Sequence, residues 1–199
     1  MFKKDHYKNK RISSGFGIDR GSYKHSGIDY PGTKKEDVYN QIDGIVENII
    51  YDEKYFGTQC IMYSNPKFAG DVNDKLYHSY CHLSEVDVKE GQFLESGKII
   101  GKMGNSGDSF TVYDSKGKLT DFYRPITDKE KENKKCNFGV HLHLWFFQIC
   151  KKGKTTPLFR KLKSLKIISK DTIGDTHFYQ WGKLIFAPRV IYKYFKPWK

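Results

Sequence analysis

The sequence predicts a mainly β protein: an antiparallel sheet or sandwich with one inserted loop and a basic C-terminal extension. Three observations carry that expectation. Short runs of strand character recur along the chain, each bounded by Gly, Asn, Asp or Pro. Aromatic residues reach 16% and Gly occurs 18 times, a mix suited to strands and turns. Apolar residues at helical spacing are scarce.

The elements follow in order. Residues 11–24, with ISSGFGIDRGSYK, are turn-rich. VYNQIDGIVENIIYDE, FGTQCIMYSNP and DKLYHSYCHLS read as short strands. VDVKEGQFLESGKIIGKMGNSG reads as tight turns and short strands, punctuated by Gly91, Gly97, Gly101, Gly104 and Gly107. Residues 108–137 break the rhythm and end in a run of Lys, Glu and Asp, as expected of an inserted surface loop. FGVHLHLWFFQICKKG is aromatic and apolar and predicts a central strand. PLFRKLKSLKIIS suits a short amphipathic helix. The rest, to WK at the end, is basic and aromatic. The expected division is a domain over 1–164 and an extension over 165–199.

Charge separates the chain slightly earlier, near residue 150. Residues 151–199 hold 13 Lys and Arg against 2 Asp, whereas residues 1–150 hold 22 against 21 Asp and Glu. A neutral body with a basic end points to an acidic partner for that end, such as a wall polymer, lipid headgroups, nucleic acid or an acidic protein face. The neutral body and the lack of nucleic-acid motifs argue against nucleic acid. No run of about 18 apolar residues predicts a membrane span. The basic start lacks an apolar segment, so no secretory signal is expected. Cys60, Cys81, Cys136 and Cys150 form no Cys-x-x-Cys pair, and free thiols are expected.

Histidine carries the chemistry. His141 and His143 lie two apart on a predicted strand, so both side chains share one face while Leu142 and Leu144 take the other. Two adjacent imidazoles pack poorly and invite like-charge repulsion. His25 and Asp29 stand four apart in YKHSGIDYPG. A His-x3-Asp loop with one His of a His-x-His strand supplies the three protein ligands of a catalytic zinc site, leaving a position for water. The other strand His, and one from YHSYCHLS, would then stand beside it. No His-Glu-x-x-His helix is present.

These motifs resemble the lysostaphin/LytM-type zinc endopeptidases of peptidoglycan, the M23 peptidases. The resemblance runs from residue 11 to about 160. It rests on SSGFG, on HSGID, on YCHLSEVDVKEGQFLESGKIIGKMGNSG, on GVHLHLWF and on GKTTPLFRKL, in the family's order. It implies the lysostaphin-type fold, Zn2+ held by His25, Asp29 and His143, and His82 and His141 as the catalytic pair that handles protons. His78 matches nothing in the pattern and is expected to be an ordinary strand His. Arg20 is read as structural. The insert departs from the family and is expected to line one wall of the substrate groove.

By resemblance the substrate is a bacterial peptidoglycan peptide cut at the cell wall. The enzyme is expected to be phage-encoded, acting in lysis or carried in a virion, with the basic tail docking it to the particle or the wall. A non-catalytic structural or wall-binding module on the same fold is the alternative, and retention of all five chemical residues speaks against it.

Overall fold

The computed structural model describes residues 7, 9–21, 23–51, 55–64, 75–107, 109–113, 119–125, 140–150, 156–168, 174, 176–181 and 183–195; of these, 109–113, 119–125 and 193–195 are described as backbone only. The strands are β1 (Ile28–Pro31), β2 (Asp37–Tyr39), β3 (Gly44–Ile50), β4 (Gln59–Ser64), β5 (Leu76–Cys81), β6 (Leu83–Val86), β7 (Phe93–Leu94), β8 (Ile99–Met103), β9 (Ser109–Tyr113), β10 (Leu119–Pro125) and β11 (His141–Ile149). Helix α1 (Pro157–Ser164), hairpin β12 (His177–Gln180) and β13 (Lys183–Phe186), and helix α2 (Pro188–Phe195) complete the chain. The protein is mainly antiparallel β, as its strand patterns predict.

The main sheet runs β12-β13-β11-β5-β4-β3-β7, with β1 also paired to β11. A second sheet runs β2-β8-β6. Period-2 alternation along β11 gives each face of the main sheet its own core. Leu142, Leu144 and Phe146 join Tyr80, Met62 and Leu76 in the larger cluster, with Ile100 and Met103 from the second sheet. Trp145 and Phe147 point the other way and pack with Cys81, Phe178 and Ile185. His143 shares this second face with Trp145.

The edge of β11 that does not face β5 is covered by two strands placed end to end. β1 pairs with residues 141–144, from Ile28 opposite Leu144 to Pro31 opposite His141. β13 pairs with residues 146–149, from Phe186 opposite Phe146 to Lys183 opposite Ile149. Together they leave no long unpaired edge along the strand that carries both histidines.

The predicted helix forms as α1. Thr156 caps it by accepting a hydrogen bond from the Phe159 N–H at 3.1 Å, Pro157 starts it, and Leu158 and Leu162, one turn apart, are buried. Lys161 and Lys163 sit in its last turn, where the helix dipole favours cations.

The segment after 164 differs from an outward-facing tail. Ile185, Phe186 and Ile191 are fully buried, and Phe178 and Tyr192 nearly so. Burying each such side chain contributes about 1.5–3 kcal/mol, so the strands and helix of this segment belong to the fold. Tyr179 and Trp181 are the exposed aromatics there. The aromatic side chains of Tyr194, Phe195 and Trp198 lie outside the described residues. The insert contributes the two-stranded pair β9–β10; its remaining residues, with Cys136, fall outside as well. Cys60, Cys81 and Cys150 are free thiols.

Candidate metal centre

Two neighbouring strands build the centre. Asp29 lies on β1 directly opposite His143 on β11, and His25 precedes β1 by one short turn. Gly27 sits between them with its backbone against β11: a Cβ there would stand 2.3 Å from the Leu144 carbonyl oxygen and 3.0 Å from the His143 ring. Only glycine lets the His-x3-Asp loop lie this close to the strand.

His25, Asp29 and His143 converge, all three buried. His25 Nε2 is 3.1 Å from Asp29 Oδ1 and 3.0 Å from His143 Nδ1. His143 Nδ1 is 2.8 Å from the same Asp29 oxygen. Among the described residues this is the one group of three His, Cys, Asp or Glu side chains with donor atoms so close.

The outward atoms fix the ring orientations. His25 Nδ1–H donates to the Gly15 carbonyl at 2.6 Å, and in the neutral tautomer this puts the Nε2 lone pair inward. His143 Nε2 meets the Ser26 hydroxyl at 3.2 Å, a group able to serve either tautomer. Neutral rings therefore bring at most one inward proton to three acceptor atoms. A cation resolves that crowding, and two imidazole nitrogens with one carboxylate oxygen are the donor set zinc takes in catalytic sites. The residues fit the metal.

Electrostatics agree. Burial alone would raise the Asp29 carboxyl, but hydrogen bonding to His143 and His25 outweighs it and holds the carboxyl well below its ordinary range. Burial pushes His143 down to about 4, against the opposing pull of Asp29, so the ring is neutral at pH 7 and its nitrogen is available to a metal. Arg20 donates to the second Asp29 oxygen at 3.2 Å and to Ser14 Oγ at 2.8 Å. It orients the carboxylate. Sequence reading missed that role, although the arginine's place just ahead of His25 was visible.

His82 and His141 stand beside the cluster. Their rings are 4.4 Å apart, and His82 is 6.2 Å from His143. His141 Nε2 lies 3.9 Å from Asp29 Oδ1. His82 takes a left-handed backbone, φ +62, which costs of order 1–3 kcal/mol in a non-glycine residue and recurs at functional sites. Its Nδ1–H donates to the Ser106 carbonyl at 2.9 Å. Burial first, then the neighbouring His141 and His143, hold His82 well below the usual histidine range. The five residues drawn from the sequence thus meet in one place. His78 does not: it is buried on the opposite face of the sheet, in the larger core, beside Tyr80.

Residues 23–118 match the model of peptidase family M23. The match covers His25, Asp29 and His82 and ends ahead of β11. The catalytic domain of lysostaphin from Staphylococcus simulans shares the fold, with TM-score 0.50 and 17% identity over 80% of this chain and 92% of that one. The solution structure of lysostaphin gives TM-score 0.50 and 20% identity over 82% of this chain, which spans 54% of its length. A variant of the catalytic domain of the prophage-encoded M23 protein EnpA from Enterococcus faecalis is 21% identical over 78% of this chain and 95% of that one, with TM-score 0.47. No curated protein sequence matches the chain. Over residues 23–118 the chain resembles peptidase family M23, and it has the lysostaphin-type fold.

Proposed function

We propose that this protein is a zinc-dependent endopeptidase that hydrolyses peptide cross-links of bacterial peptidoglycan. The observation that carries the reading is the convergence of His25, Asp29 and His143 beside the His82–His141 pair. His25 would hold the metal through Nε2, His143 through Nδ1 and Asp29 through Oδ1. Bound there, zinc supplies Lewis-acid polarisation of a carbonyl and acidifies water toward a pKa of about 7.

The chain's own residues do the rest. Arg20 and Ser26 hold the carboxylate and one imidazole in place. His82, with Nδ1–H committed to Ser106, keeps Nε2 as the atom that takes or returns a proton. His141, 22% exposed in its side chain, offers a second proton carrier beside it. Either can move a proton to a leaving amine. The substrate is read as an extended peptide running across the sheet, of the narrow kind that glycine or D-amino acids allow.

The same reading extends to delivery: a phage-encoded enzyme acting at the host cell wall, with basic side chains after residue 150 meeting the acidic wall polymer. The charge asymmetry of the sequence supports it. The deciding experiment is zinc stoichiometry on the purified chain, paired with mass spectrometry of fragments released from defined peptidoglycans. One zinc per chain and metal-dependent cleavage of a cross-link peptide bond is the expected result. A chain that takes up no zinc, or releases only glycan fragments, overturns the proposal.

A further inference from the structure

The loop carrying His25 is a small hairpin. His25 N–H donates to the Ile18 carbonyl at 2.8 Å, Gly17 N–H to the His25 carbonyl at 2.9 Å, and Arg20 N–H to the Tyr23 carbonyl at 2.9 Å. Asp19 and Lys24 face each other across it as a bridge. These bonds use the groups flanking Lys24 and leave the N–H and C=O of Lys24 pointing outward, as an unpaired strand edge would.

Gln180, the last residue of β12, takes both. Its Oε1 accepts from the Lys24 N–H at 2.9 Å, and its Nε2 donates to the Lys24 carbonyl at 3.2 Å. A side-chain amide has one acceptor and one donor group, and here each is matched to a backbone partner in a single residue. Three other contacts bind the same two segments. Phe178 stacks on Phe16 with ring centroids 4.9 Å apart. Trp181 packs against Tyr23 at 5.6 Å. Gly17 approaches Gly174 so closely that a Cβ on Gly17, whose φ is +78, would lie 2.5 Å from the Gly174 carbonyl oxygen.

The C-terminal hairpin is thus tied to the segment on which His25 hangs, and β13 is tied to β11, which carries His143. One element grips both halves of the metal centre. We propose that the hairpin β12–β13 positions the His25 loop against β11, with Gln180 as the positioning residue that acts through the Lys24 backbone. This rests on the reading of His25 and His143 as metal ligands. Gln180 bonds to the Lys24 backbone and not to the metal cluster, and its effect is on the geometry of a ligand.

The test compares three full-length chains: wild type, Gln180→Ala and Tyr179→Phe. Tyr179 is the neighbouring residue of the same strand and donates to the Cys150 carbonyl at 3.0 Å, so its variant removes one hairpin hydrogen bond without touching Lys24. Zinc affinity is read by chelator competition. Gln180→Ala should weaken it about 10-fold, the lower end of what supporting partners of a ligand contribute, while Tyr179→Phe leaves it unchanged. Hydrogen exchange without metal gives a second readout. The Gly17 and His25 amides should exchange about 5–10-fold faster in Gln180→Ala alone. Equal zinc affinity and equal exchange in wild type and Gln180→Ala overturn the proposal, and so does an equal loss in both variants, which marks general loosening of the hairpin. A wild-type chain that takes up no zinc removes the metalloenzyme reading instead, and the exchange rates still decide the clamp.

Discussion

His143 and His78 lie on opposite faces of the same sheet, three and zero per cent exposed. Burial pushes both imidazoles down, His143 to about 4 and His78 to about 3. By burial and titration the two are nearly alike. Their partners differ. His78 Nδ1 meets the Tyr80 hydroxyl at 3.0 Å and Nε2 meets the Ser64 hydroxyl at 3.3 Å. Each hydroxyl also has another acceptor in reach, Asn40 Oδ1 for Tyr80 and the Asp43 carbonyl for Ser64, and a neutral His78 is satisfied when one hydroxyl turns its proton to the ring and the other accepts from it. His143 Nδ1 instead faces a carboxylate oxygen and a second imidazole nitrogen. Convergence of acceptors, rather than depth of burial, marks the candidate metal centre.

The widest break in this comparison is to remove one ring from each side. His143→Ala should abolish tight zinc binding and all detectable peptidase activity. His78→Gln should keep one zinc per chain and lose only stability, by about 1–3 kcal/mol for an imperfectly replaced buried polar group. Metal analysis of the two variants after dialysis checks both. Stoichiometric zinc in His143→Ala would remove it from the ligand set.

A narrower break separates holding metal from moving protons. His82→Ala and His141→Ala should each retain zinc and lose about 10²–10⁴-fold in kcat. Near-wild-type turnover in both would show that the protons travel elsewhere. Smaller again is the effect of Arg20→Met, which removes the donor to Asp29 Oδ2 and keeps most of the aliphatic stem. Zinc affinity should fall about 10–100-fold, measured by competition with a chelating dye. An unchanged affinity would return Arg20 to a purely structural role.

The metal side of the comparison was legible in the sequence because it follows backbone period. Two-residue spacing puts His141 and His143 on one face of a strand, and four residues with a glycine between bring His25 beside Asp29 at the start of β1. Arg20 was harder to read, since an isolated arginine does not show where its guanidinium points until the loop closes. The C-terminal segment was harder still. Its net charge comes from residues such as Lys183 and Arg189 placed among apolar ones, and that charge hid the run Leu184–Ala187, which is buried throughout. Composition averages over a strand and its surroundings, whereas burial is decided residue by residue. The end-to-end placement of β1 and β13 on one edge of β11 depends on tertiary pairing, which local patterns do not encode.

The finest test uses pH, and its sign follows from His78. In the folded chain the ring resists protonation until about pH 3, from burial; unfolded, it protonates near about 6.5. Between those values the unfolded state binds a proton that the folded state refuses, so stability falls as pH falls through that window and is flat above it. The slope from this one group is about 1.4 kcal/mol per pH unit. Urea unfolding of metal-free chains at pH 6.5 and pH 5.0 should therefore show wild type losing about 2 kcal/mol more than His78→Gln. Working without metal keeps zinc release from the other cluster out of the difference, and the titrations of Asp29 and His143 are common to both chains and cancel. Equal losses in wild type and variant would mean that His78 is protonated in the folded state. The hydroxyl pair of Tyr80 and Ser64 would then be holding an imidazolium, and the contrast with His143 would have to rest on charge as well as on partners.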